Sequence, residues 1–172
     1  MANEAWLNGK LDGCAPVMMP AAHALAQAIV DLRRFAADLS DEESNARPND
    51  APSAAFHLRH ITGSVDRLLT YARGEQLNQA QFDFLRAENI DDSKTNAAEL
   101  TEKAVAEINR ALDVLKNISS ENLFEPRYVG RERLPTNVFG LLFHIAEHTT
   151  RHVGQFVTTA KIVRKKMKQT GE

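Results

Sequence analysis

Residues 136–163 read TNVFGLLFHIAEHTTRHVGQFVTTAKIV, and this stretch decides the fold. Val138, Leu141, Ile145, Phe156, Ala160 and Val163 recur at the spacing of one face of an α-helix. His148 and His152 fall on the same inner stripe, where core residues are expected. With His144 they form a ladder, because residues four apart on a helix differ by about 40° in direction and about 6 Å in height. Either consecutive pair can chelate one metal ion. The spacing is equally that of core histidines, each of which needs only one or two hydrogen bonds. Thr136 is the expected N-cap. The far end is basic, with six Lys and Arg against one acid between Arg151 and Glu172. That suits a solvated helix C-terminus better than an anion or RNA contact.

Three further helical patterns precede this one. Leu100, Ala104, Ile108, Ala111, Leu115 and Ile118 mark a third helix from Asp92 or Ser93 to about Ile118. Leu58, Ile61, Val65, Leu68 and Ala72 mark a second, with Ser53 as its N-cap and Gly74 as its stop. Leu25, Ile29, Leu32, Ala36 and Leu39 mark a first, from Pro20 to Leu39. Between the first two, SDEESNARPND (40–50) is a loop in which a single helical turn can start at Ser40. The connection from Glu75 to Lys94 is longer than the turns that join antiparallel neighbours, and it predicts a crossover that leaves helices two and three parallel. EPRYVGRERLP (125–135), with two prolines and a glycine, predicts an irregular or hairpin-like connection. The expected fold is all-α, a four-helix bundle with a long crossover between helices two and three, forming a single domain over residues 1–172.

Composition narrows the function classes. The chain of 172 residues, 43% hydrophobic and 26% charged, has an ordinary globular make-up. Its net charge of -2 argues against a nucleic-acid partner gripped by a broad basic surface. No apolar stretch reaches the roughly 18 residues of a membrane span. The single Cys14 excludes an intrachain disulfide, and MANEAWLNGKLDG (1–13) lacks the pattern of a signal peptide, so a cytoplasmic protein is expected. The sequence carries no repeat and no low-complexity tract.

Five of the six histidines lie in two helical segments: His57 and His60 in FHLRHI (56–61), and His144, His148 and His152. A bundle brings these helices together, and bundle metal sites are built from inward side chains on facing helices. Three imidazoles without a fourth protein ligand leave coordination positions open. No cysteine ligand and no Glu-x-x-His pair accompanies them, so one ion of zinc, nickel or iron(II) fits better than a binuclear centre. Affinity is then expected to fall with pH, since each imidazole must lose its proton to coordinate.

HLRHITGSVDRLL (57–69) together with HIAEHTTRHVGQ (144–155) resembles the DinB-like (DinB/YfiT) superfamily of metal-dependent enzymes. The resemblance runs from Trp6 to about Val163. It implies a four-helix bundle of unusual helix order with one divalent metal on three histidines. Carried onto this sequence, the helix-two ligand matches His60 and the helix-four pair matches His148 and His152. Val153 stands where the family often has an arginine, outside the chelating pair. The superfamily is unrelated to the lesion-bypass polymerase that shares its label. The resemblance further implies a small-molecule substrate and either thiol-dependent transfer or isomerisation, with a low-molecular-weight thiol, or hydrolase-like chemistry. A three-histidine ion supports these by binding thiolate, activating water or polarising a carbonyl. The alternatives are a non-catalytic metal-binding or stress-associated bundle protein, and a helical interaction module with core histidines. A homodimer through a spare apolar helix face is expected.

The remaining candidates have less pointed readings. His57 and His144, one turn before the implied ligands, are supporting groups, alternative ligands or core histidines. His23 has no partner in sequence and reads as packing or surface. Arg67 and Tyr71, nearly in line with His60, either line a pocket for an anionic or thiol-bearing ligand or form a salt bridge and a core contact. Glu147, about 100° round the helix from His148, faces solvent or orients a neighbour rather than acting as a base. Cys14 has no basic helper nearby in sequence and is no nucleophile.

Overall fold

The computed structural model describes residues 4–90 and 96–170. Among them are α1 (Met19–Ala36), α2 (Asp41–Asn45), α3 (Ala54–Ala72), α4 (Gln79–Ala87), α5 (Ala97–Asn117), β1 (Pro126–Val129), β2 (Leu134–Asn137) and α6 (Val138–Thr170). The four helices expected from periodicity are α1, α3, α5 and α6. Their apolar stripes form one core, with Leu25, Leu32, Leu58, Ile61, Ile108, Leu115, Ile145 and Phe156 fully buried. Each such side chain contributes about 1.5–3 kcal/mol relative to exposure, so packing rather than propensity holds the helices. No described helix is long and apolar enough to cross a membrane.

Long-range contacts set the helix directions. α1 and α3 each pack against both α5 and α6. His57 meets His152 and His60 meets His148, so α3 runs antiparallel to α6. Pro20 and Ala21 share a cleft with Ala146, while the carbonyl of Phe35 accepts from Arg164, so α1 runs along α6. Gly13, just ahead of α1, lies beside Lys116, and Arg33 pairs with Glu102, so α1 opposes α5. These pairings leave α3 and α5 pointing the same way.

Caps position the elements that carry the histidines. Ser53 Oγ accepts from the Phe56 amide at 3.1 Å and starts α3 four residues before His57. At the other end Gly74 adopts φ +81°, and the Gly74 and Glu75 amides bond the carbonyls of Tyr71 and Thr70. This reversed-turn closure needs a left-handed residue, which glycine supplies without a Cβ penalty. Arg127 Nε donates to the Ala72 carbonyl at 2.7 Å and ties β1 to the end of α3. Ser40 and Glu43 form a capping box on α2, the single turn expected at Ser40.

Four details differ from the sequence expectation. Helix one ends at Ala36 rather than Leu39, although Leu39 stays buried just beyond the end. The connection after α3 contains a helix, α4, whose buried residue Gln81 and C-cap residue Glu88 are polar and so give no apolar periodicity. α5 starts at Ala97 with Asn96 as N-cap, and the expected starts Asp92 and Ser93 lie outside the described residues. α6 is capped by Asn137, whose Oδ1 accepts from the Gly140 amide at 2.7 Å, instead of by Thr136. The physical reason is the hairpin: β2 pairs antiparallel with β1, Thr136 opposite Arg127, and holds the chain extended as far as Asn137.

Candidate metal centre

The antiparallel pairing of α3 and α6 brings three imidazoles together. One ring nitrogen from each of His60, His148 and His152 lies within 4.8 Å of the other two. The ring centroid of His152 is 4.4 Å from that of His60 and 4.5 Å from that of His148. Nε2 of His60 faces Nε2 of His148 at 2.9 Å. Two of the three residues come from one helix, where the four-residue spacing sets their separation, and the third needs only the right register across the interface.

Each ring is held differently. His60 Nδ1–H donates to Glu88 Oε2 at 2.7 Å, and Glu88 Oε1 accepts from Arg67 Nη1 at 2.6 Å. Arg59 Nε donates to the Glu88 main-chain carbonyl at 3.2 Å. Phe56 stacks on the His60 ring with centroids 5.5 Å apart and planes at 16°. His152 Nδ1 shares a proton with Nδ1 of buried His57 at 3.1 Å. Nδ1 of His148 is buried without a hydrogen-bond partner among the described residues.

Burial sets the protonation states. Desolvation, reinforced by the neighbouring His60, pushes His148 down to about 4 and His152 down to about 3. The same causes, in the same order, push His57 down to about 4. At neutral pH these rings are uncharged and present lone pairs. Their nitrogens suit zinc, nickel or iron(II) as donors. Bonds of about 2.0–2.1 Å from each imidazole to a tetrahedral ion place ligand nitrogens about 3.3 Å apart. Nε2 of His60 and Nε2 of His148, 2.9 Å apart, lie close to that value, and a nitrogen of His152 is within 4.8 Å of both partners, so the donor set fits such an ion.

The other candidates fall outside the trio. His144 is half-exposed, with Nδ1 3.4 Å from Glu147. Glu147 faces solvent and pairs with Arg151, whose guanidinium holds its carboxyl below the usual range. His23 Nε2 bonds the Gly9 carbonyl at 2.8 Å and lines a separate apolar groove between α1 and α6. Arg67 forms the salt bridge anticipated for it, to the same carboxylate that holds His60. Tyr71 is buried in the core. Cys14 is partly buried, and burial raises its thiol pKa, which disfavours the nucleophilic thiolate. Val153, at the position of the family's arginine, is buried against the core.

Glu88 is the site residue that sequence reasoning missed. A signal for its helix was present: Asn78 and Gln81 form a capping box, which marks a helix start. Beside the trio, Pro48, Pro52, Phe56, His57, His152 and Ile162 help line an open cleft of about 850 Å³.

A sequence profile described as the DinB superfamily matches residues 24–156. A search of curated proteins finds no match. The matched span starts within α1, takes in both histidine-bearing helices through His152 and covers well over half of the 172 residues, and on that match the chain belongs to the DinB superfamily.

Proposed function

We propose that the protein is a metal-dependent enzyme in which His60, His148 and His152 hold one divalent ion, zinc, nickel or iron(II), within a four-helix bundle made of α1, α3, α5 and α6. The whole chain 1–172 is one domain in this reading. The observation that carries it is the convergence of three histidine nitrogens, from two facing helices, within 4.8 Å.

An ion bound there supplies a Lewis acid that lowers the pKa of water or a thiol and polarises a carbonyl. The chain's own residues do the rest. The trio brings no fourth protein ligand among the described residues, which leaves room for an exchangeable ligand. The cleft that reaches His152 and His57 admits a small molecule, with Pro48, Pro52, Phe56 and Ile162 as apolar walls and Asn49, Gln155 and Thr158 as polar contacts. The reaction is a thiol-dependent transfer or isomerisation, or a hydrolysis.

The test is elemental analysis of the purified, untagged protein beside His60→Ala prepared identically. Near-stoichiometric zinc, nickel or iron that is lost in the variant is the expected result. A metal-free wild type that added divalent ions cannot load overturns the proposal.

A further inference from the structure

We infer that Glu88 is the positioning residue of the metal centre, and that residue 63 is a glycine because only a residue without a side chain lets Glu88 reach His60. This rests on the metal-centre reading above. Glu88 is 2% exposed, and both of its carboxylate oxygens are engaged. Oε2 accepts a hydrogen bond from His60 Nδ1–H, which leaves Nε2 with a lone pair aimed at the His148 side of the trio. A carboxylate on the far nitrogen of a ligating histidine fixes its tautomer and ring orientation and raises its basicity. Oε1 accepts a hydrogen bond from Arg67 Nη1, and this pairing offsets the cost of burying the carboxylate. A salt bridge that served stability alone would need no contact with His60.

Gly63 lies one turn beyond His60 and one turn before Arg67, on the face against which α4 docks. A Cβ at residue 63 would collide with Glu88 Oε1 and stand 2.6 Å from Arg67 Nη1 and 2.7 Å from Phe84 Cδ1. Ordinary carbon contacts are about 3.5–4.0 Å. A Cβ at residue 63 therefore has room only if the Glu88 carboxylate, Arg67 or Phe84 shifts, and a shift of the carboxylate loosens its hold on His60. The polar inner face of α4 has the same logic. Gln81 anchors its start to Asp66 at 2.6 Å and Thr70 at 2.8 Å, and Glu88 at its end delivers the carboxylate.

The experiment uses the full-length protein, Glu88→Gln, Gly63→Ala and the double variant. Zinc affinity is read by competition titration, thermal unfolding serves as a folding control, and the His60 ring tautomer in the metal-free wild type is read by nitrogen-15 NMR. Each single variant is expected to bind zinc about 10–100-fold more weakly. The double variant is expected to be no weaker than the weaker single, because both changes remove one contact. The wild-type ring is expected to carry its proton on Nδ1. Zinc binding by Glu88→Gln as tight as wild type, or a proton on Nε2, overturns the role of Glu88 and leaves the metal centre standing. Additive losses in the double variant overturn the role of Gly63. A wild type that binds no zinc overturns the metal centre and this inference together. If Glu88→Gln fails to fold, Glu88→Asp keeps the charge beside Arg67 but draws the oxygen back from His60, and an undiminished zinc affinity in it is equally decisive.

Discussion

Protons compete with a metal ion for the histidine nitrogens, and the fold dictates how many protons take part at each pH. In the folded chain His148 titrates at about 4 and His152 at about 3, because burial and His60 disfavour their charged forms. Above pH 5 both rings are already neutral and release nothing when an ion arrives. Of the three ligands, at most one can then still carry a proton. The slope of log affinity against pH is therefore at most one between pH 7 and pH 5, a loss of no more than about tenfold, or about 1.4 kcal/mol, per pH unit. Three rings with the ordinary value near 6.5 would approach a slope of three below it, roughly a thousandfold per unit. Below about pH 4 the slope steepens as His148 and then His152 take up protons. Zinc titration calorimetry at pH 5.5, in buffers of different ionisation enthalpy, counts the protons released, with circular dichroism confirming the fold at each pH. Release of two or more protons per zinc refutes the reasoning, since His148 or His152 would then be charged in the free protein.

Three other outcomes follow from the same geometry. His148→Ala should abolish tight metal binding while His23→Ala should leave it intact, because His23 is held by the Gly9 carbonyl away from the trio; equal losses in calorimetric titration would contradict this. His57, 3% exposed, titrates at about 4 when folded and near the ordinary 6.5 when unfolded, so on acidification the unfolded chain takes the proton first. Stability present above about pH 6.5 is thus lost as pH falls towards 4, by about 1–2 kcal/mol at pH 5 for this residue, and the fall in melting temperature of metal-free protein from pH 7 to 5 should be smaller in His57→Phe. Ser53→Ala removes the bond to the Phe56 amide and should cost about 0.5–2 kcal/mol in urea unfolding, with the first turn of α3 exchanging its amides faster.

Much of the fold and part of the site are legible in the chain itself, for local reasons. A 3.6-residue period writes the buried faces of α1, α3, α5 and α6 directly into the order of Leu, Ile, Val and Ala, and the caps at Ser40, Ser53 and Gly74 depend on neighbours a few residues away. The ladder His144, His148, His152 is likewise a local fact, since helical geometry alone sets its spacing. Periodicity is silent about α4 because its buried residue Gln81 and its C-cap Glu88 are polar and two turns apart. The N-cap of α6 lies one residue beyond the expected Thr136 because Thr136 is committed to the hairpin, and that pairing is visible only once β1 and β2 meet.

By itself the sequence determined the four long helical segments, their apolar faces and which histidines share a helix, because these follow from spacing along one chain. Only the tertiary structure decided that His57 meets His152 while His60 meets His148, that His144 stays half-exposed, and that Glu88 reaches back across Gly63 to His60. Those contacts join residues 28 to 95 positions apart. Nothing in local geometry relates such residues. Their distances are set by the register in which α3 packs on α6 and α4 docks on α3, and that register is fixed by the whole core at once.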